Sequence, residues 1–159
     1  EASRSFDVAV VRNAEYLDWR YAQNPLRRYL ILVAERGDTL LGYAVLSFRD
    51  AEDKGSVALA ELLVAGNKPS PGLALLRQAT RSARLAGCGK MECWMLPQHD
   101  FYTRLLQRSG FVHAQSGVLP GVFRRTTSLV TRWLPEGGPV PDPARLAHWF
   151  VTMGDQDYY

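Results

Sequence analysis

Glu61 is the residue best suited to general-base work in this chain. It is the lone carboxylate in an otherwise apolar run, VALAELLV at 57–64. Burial among such neighbours raises a carboxyl pKa toward the working range of a base, which takes a proton from an ammonium or hydroxyl group. The bland alternative is a cleft-facing glutamate paired with an arginine. The segment AGNKPSP (65–71) follows at once and leads into Gly72 and a helical pattern. Free N–H groups and the positive dipole end at such a helix start can hold a phosphate or pyrophosphate. Lys68 adds a charge there and Gly72 permits close approach, while Pro69 and Pro71 bring no N–H at all. An ordinary strand-to-helix connection reads the same way. Arg77, Arg81 and Arg84 share one face of the helix, as a phosphate-binding or simply solvated basic stripe.

Other chemistry-bearing residues are more scattered. Tyr102 sits in an apolar stripe with Phe101, Leu105 and Leu106, and is its one member with a proton to give. His99 and His113 are isolated and read as surface or capping residues. Asp155 and Asp157, two apart at a strand end, face the same side and could bind an ammonium or a sugar hydroxyl, or be solvated. Cys88 and Cys93 lack CxxC spacing and further cysteines, so neither a zinc site nor a disulfide scaffold is expected, and a cytoplasmic setting with two free thiols is.

The elements that must position these residues follow from periodicity and turn chemistry. Asn13–Gln23 reads as a short helix capped by Asn13 and ended by Asn24-Pro25. Tyr29–Glu35 and Leu40–Phe48 form a hairpin around Arg36–Thr39, followed by a charged loop at Arg49–Ser56. Val57–Val64 is apolar on both faces except at Glu61, as a central strand should be. Gly72–Ala86 is a helix with Leu75, Leu76, Ala79 and Ala83 on one face, Lys90–Leu96 a strand, and Gln98–Ser109 a helix closed by Gly110. Strands are also expected from Phe111 to Ala114 and over Val122–Val130, a Pro/Gly loop over Glu136–Pro143, and an apolar, strand-like opening to the tail from Leu146. A βαβ unit joined to antiparallel strands makes an α/β (α+β) domain with a mixed central sheet flanked by helices.

With 159 residues the chain is the size of one domain, and its 22% charged content is that of a globular protein rather than a disordered one. No apolar run is long enough to span a membrane, and the first twenty residues lack the apolar block of a signal peptide. Nineteen Lys and Arg against sixteen Asp and Glu leave +3, too small a charge to argue for DNA.

Three stretches together resemble the GNAT superfamily of acyl-CoA N-acyltransferases: Glu61-Leu62-Leu63-Val64, then Gly72-Leu73-Ala74-Leu75-Leu76, then Leu105-Leu106-Gln107-Arg108-Ser109-Gly110-Phe111. The hairpin LLGYAVL fits as well. EYLDWRYAQNP and the ending TMGDQDYY are similar to a bacterial subgroup associated with cell-surface polysaccharide genes. The resemblance covers about residues 12–157 of the chain. It implies a GNAT-like mixed sheet splayed at its centre, acetyl-CoA or another acyl-CoA as co-substrate, no metal, and a small-molecule acceptor such as an amino sugar. It further implies that pantetheine pairs with Glu61–Val64, through Leu62, Leu63 and Val64, and that N–H groups near Leu63 polarise the thioester. The pyrophosphate would rest on Asn67–Leu73, through Asn67, Lys68, Ser70, Gly72 and Leu73, with Arg77 beyond.

The pattern departs from the family at named positions. The family's Arg or Gln falls on Asn67 and its first loop glycine on Ser70, so only Gly72 matches. Its tyrosine, which protonates the leaving thiolate, falls on Leu106; Tyr102, one turn earlier, is the candidate substitute. The family's opening strand and helix pair is missing, so the single domain at 1–159 reads as the C-terminal part of a longer chain, or as one completed by a partner lobe or a second copy. These departures keep two further readings open: a catalytically weak GNAT-like lobe for binding or assembly, and a Fem-type peptidyltransferase lobe whose basic stripe meets aminoacyl-tRNA.

Overall fold

A computed structural model describes residues 8–48, 55–95, 99–112 and 149–155 of the protein. Two strands, β2 (Arg28–Arg36) and β3 (Thr39–Phe48), form the expected hairpin. β4 (Ser56–Val64) pairs antiparallel with β3 and is buried along its whole length, as its two-sided apolar pattern requires. Helix α2 (Pro69–Leu85) crosses over to β5 (Lys90–Cys93), which lies parallel to β4. The sheet order β2-β3-β4-β5 is therefore mixed, with one βαβ unit grafted onto an antiparallel meander. Helix α3 (Asp100–Arg108) follows. Gly110, at φ 88°, ends it as the glycine at C′ should, with the Phe111 N–H returning to the Leu106 carbonyl at 3.1 Å.

The two sheet faces are covered differently. Leu30, Leu32, Gly42, Ala44, Leu62 and Val64 share the face toward α2, whose Gly72, Leu75, Leu76, Ala79 and Ala83 are buried. Gly42 has a packing reason: a Cβ there would lie 2.6 Å from the Leu63 carbonyl oxygen and 3.4 Å from Leu75 Cδ1. On the opposite face Tyr29, Tyr43, Val45 and Glu61 meet the N-terminal helical stretch, where Tyr21 packs edge-on against Tyr29.

That stretch begins as expected at Asn13, whose side chain accepts from the Tyr16 N–H at 2.8 Å. It is only one α-turn, α1 (Ala14–Leu17), and then widens into π-type turns over Asp18–Ala22. A two-residue strand that periodicity could not register, β1 (Val8–Ala9), pairs in parallel with β6 (Trp149–Phe150). A short strand and a helical stretch thus stand before the hairpin. The expected strand at Phe111 is not formed at Phe111–Val112; its remainder, the strand at 122–130 and the loop at 136–143 lie outside the described residues. Among the described residues, no helix is long and apolar enough to cross a membrane.

Candidate active site

Glu61 owes its direction to a one-residue irregularity. Leu46 pairs with Leu59 but Val45 pairs with Glu61, so Ala60 is an extra residue in β4. Plain alternation would place Leu59 and Glu61 on the same face. The bulge breaks that parity and turns Glu61 away from α2, onto the face carrying Tyr43.

There the carboxylate meets a dense polar cluster. Tyr43 Oη donates to Glu61 Oε2 at 2.6 Å, and the Tyr21 hydroxyl lies beside the carboxylate, both facing Gly154. Arg12 Nε donates to Glu61 Oε1 at 3.1 Å, while Arg12 Nη2 reaches both oxygens of Asp155 at 2.8 and 2.6 Å. The guanidinium also lies 4.9 Å from the ring centroid of Phe150. Glu61 is 1% exposed and the Arg12 side chain 2%. Asp155 is fixed in its turn by the Thr152 N–H at 2.8 Å, and Arg20 Nε holds the Gly154 carbonyl at 3.1 Å.

Burial is the largest influence on the Glu61 carboxyl and pushes its pKa up. Arg12, Tyr43 and Tyr21 oppose that shift, and Asp155 adds to it. The direction is upward because burial outweighs a guanidinium that is shared between two carboxylates. Burial, then the charge of Glu61, likewise keeps Tyr43 protonated far above neutrality. Tyr16, half-buried beside the cluster, is pushed up to about 12 by burial and then by the two carboxylates.

The other half of the site is a gap in the sheet. β4 and β5 are paired from Ser56–Lys90 to Leu59–Cys93 and no further; Met95 bridges instead to Thr152. At the far end of the gap the Val64 N–H donates to Tyr102 Oη at 3.2 Å. Strand alternation then turns the Leu62 N–H and C=O the same way, and those of Leu63 toward β3. The backbone N–H turned into the gap is therefore that of Leu62, and the Leu63 N–H is not. Tyr102 is 1% exposed, and burial pushes its phenol up to about 12, so it keeps its proton at neutral pH.

The phosphate-loop residues take a different form from the one expected. Gly66 (φ 60°) and Asn67 (φ 51°) adopt left-handed conformations in a 3-10 turn that swings the chain off β4. The helix begins at Pro69, not Gly72, with Lys68 as its N-cap and no side-chain cap bond. Pro69 and Pro71 thus occupy two of the four first-turn positions whose N–H groups a helix leaves free, and the N–H groups of Lys68 and Ser70 are the donors that remain. Asn67, Lys68 and Ser70 are exposed and Leu73 half-buried. Gly72 is buried: a Cβ there would meet Leu105 Cδ2 at 2.5 Å and Val64 Cγ2 at 3.3 Å, so this glycine lets α2 close on α3. Arg77 is exposed, further along α2.

Tyr102 is brought to the strand end at Val64, and Glu61 stands three residues earlier on the same strand. Asp155 joins Glu61 through Arg12, whereas Asp157 and His113 lie outside the described residues. His99 is buried and its Nε2 meets the Trp149 carbonyl, a structural role. Both cysteines are free, and burial pushes the Cys93 thiol up to about 12. Arg12, Tyr21, Thr152 and Gly154 carried no chemical signal in the sequence; only a list of residues able to neutralise a buried glutamate would have raised Arg12.

Known structures share this architecture. The fold is similar to a crystal structure described as a probable acetyltransferase, with a TM-score of 0.56 at 19% identity over 75% of this chain and 77% of that one. It is also similar to TTHA1254 from Thermus thermophilus, with a TM-score of 0.51 at 20% identity over 64% of this chain and 72% of that one. A point mutant of the same Thermus protein gives 0.50 at 19% identity, over 76% and 96%. No family model matches the chain, and no curated protein matches it. The fold is thus a mixed α+β fold of the acetyltransferase type.

Proposed function

We propose that the protein transfers an acetyl or other acyl group from an acyl-CoA to an amine or hydroxyl acceptor by direct attack. The observation that carries this reading is the place where β4 and β5 part. It leaves the Leu62 backbone turned into a gap, with Tyr102 at the far end and Glu61 on the same strand. In this reading a pantetheine arm lies there as a substitute strand. In this scheme Glu61, directly or through a water, takes the proton of the acceptor as nitrogen or oxygen bonds to the thioester carbon. The Leu62 N–H supports the charge developing on the carbonyl oxygen. The C–S bond then breaks, and Tyr102 gives its proton to the departing sulfur. The acceptor class is a small molecule, an amino sugar by the resemblance of the N- and C-terminal segments. Likeness to a structure described as a probable acetyltransferase supports the same activity.

A specific observation favours a second reading, a lobe of this fold that binds without catalysis. Arg12 and Tyr43 already occupy the two oxygens of the Glu61 carboxylate. Calorimetric titration with acetyl-CoA, followed by an acetyl-transfer assay over amines and amino sugars, separates the two. Binding with turnover supports the transferase, binding without turnover the lobe, and no binding removes both.

A further inference from the structure

A second feature lies along α2 on its way from the loop to its C-terminus. Leu73, Leu76, Arg77, Thr80, Arg81, Arg84 and Leu85 line a groove with Arg108 and Ser109 at the end of α3, enclosing about 600 Å³. From Leu73 to Leu85 it runs about 18 Å, at a helical rise of ~1.5 Å per residue.

Its electrostatics are one-sided. Arg77, Arg81 and Arg84 follow one another at spacings of four and three residues, so their like charges face each other on one side of the helix. No Asp or Glu occurs anywhere in α2. Among the described residues, none of the four arginines makes an ion pair. A face that accumulates guanidinium groups without internal neutralisation complements an anion of several charges. The planar guanidinium fork suits phosphate oxygens two at a time.

We propose that this groove binds a small organic polyphosphate of nucleotide size. Its volume falls within the range of small-ligand sites, roughly 300–1,000 Å³. No aromatic side chain is among its lining residues, so it lacks the stacking platform of a single-strand binder. Leu73, half-buried, and Leu85, exposed, offer apolar contact to a ring, and the arginines hold the phosphates. The proposal does not rest on the acyl-transfer reading: it concerns the groove beyond Arg77, toward Arg81 and Arg84.

The test is calorimetric titration of the full chain with ATP and with inorganic tripolyphosphate, at low and high salt, in the presence and absence of saturating CoA. The variant is R81A/R84A, whose two side chains lie outside the core. ATP is expected to bind the wild type, to weaken as salt rises, and to lose at least tenfold in affinity in R81A/R84A, with CoA leaving it unchanged. Equal ATP affinity in wild type and variant overturns the proposal. So does one-for-one displacement of ATP by CoA, which would make the groove part of the acyl-donor site. Tighter binding of a short single-stranded RNA than of ATP, lost in the same variant, overturns it as well. Failure of CoA to bind while ATP still does would instead count against the acyl-transfer reading alone.

Discussion

The guanidinium of Arg12 meets the carboxylate of Glu61 at 3.1 Å, across 49 residues of chain, where the N-terminal segment crosses the face of the central strand. The same guanidinium holds Asp155 at 2.6 Å. One cation thus ties the start of the chain, the centre of the sheet and the tail into a single buried cluster. Glu61, the base proposed above, is therefore also part of what holds the layers together.

Arg12→Ala leaves two carboxylates buried around one missing charge. Removing one partner of a buried ion pair typically costs about 3–5 kcal/mol. Denaturant unfolding of Arg12→Ala is expected to show a loss of that order, shrinking at lower pH as Glu61 takes up a proton. Arg12→Lys is expected to recover only part of it, because an ammonium cannot reproduce the fork of the guanidinium. A loss within about 0.5 kcal/mol, the range of ordinary surface substitutions, would place the cluster outside the stability of the fold.

Gly154→Ala probes the same cluster from the tail. A Cβ at Gly154 would collide with the Tyr21 hydroxyl and lie 2.6 Å from Glu61 Oε1. Overpacking of a filled interior costs roughly 1–3 kcal/mol, and here it would also disturb hydrogen bonds to the carboxylate. Gly89→Ala is the control, since its Cβ would have nothing closer than the Gly55 carbonyl at 4.0 Å. Thermal melts should show Gly154→Ala clearly lowered and Gly89→Ala near the wild type; equal melts would refute the packing argument.

The pH dependence has a definite sign. Burial raises the Glu61 carboxyl above its ordinary value of about 4.5, so between that value and the folded one the native state binds more protons than the unfolded state. This contribution to stability is therefore fully present below about 4.5 and is lost as pH rises through the folded value. Glu61→Gln removes the titration, so the stability of wild type minus Glu61→Gln should fall with rising pH across that window. A difference that grows with pH would mean that Arg12 outweighs burial at this carboxyl.

Under the acyl-transfer reading, Glu61→Gln should lower turnover by about 10²–10⁴-fold, the usual contribution of a positioned base, with little change in acyl-CoA affinity. Tyr102→Phe should lower it less, since a CoA thiolate leaves comparatively well without help. Tyr102→Phe should also lose roughly 1–3 kcal/mol of stability, because the Val64 N–H is left without its hydroxyl partner. Steady-state kinetics paired with unfolding curves separates the two effects. Unchanged turnover in Glu61→Gln would move the base elsewhere, with Asp155 next by position.

The hairpin, the central strand, the parallel strand beside it and the two later helices can be read from the chain alone, whereas β1 and β6 cannot. Two-sided apolar content marks β4 as central, and 3.6-residue spacing with Gly110 marks α2 and α3. A helix between two strands dictates the parallel pair, because these signals arise from neighbours in the chain. Glu61 likewise stands out as an anomaly in an apolar strand. What that anomaly does is settled by packing in three dimensions. The direction of Glu61 depends on Ala60 being a bulge, which is a property of pairing with Val45 and Leu46 and leaves no mark in the β4 run. Its partners Arg12, Tyr43 and Asp155 come from three distant segments, and no local periodicity links them. Gly72 reads as an approach point for a ligand because its neighbours in sequence form a loop; its neighbours in space, Leu105 and Val64, make it a packing contact. Propensity acts over a few residues, whereas charge neutralisation and close packing act through space, so the fold was legible in the chain and the wiring of its site was not.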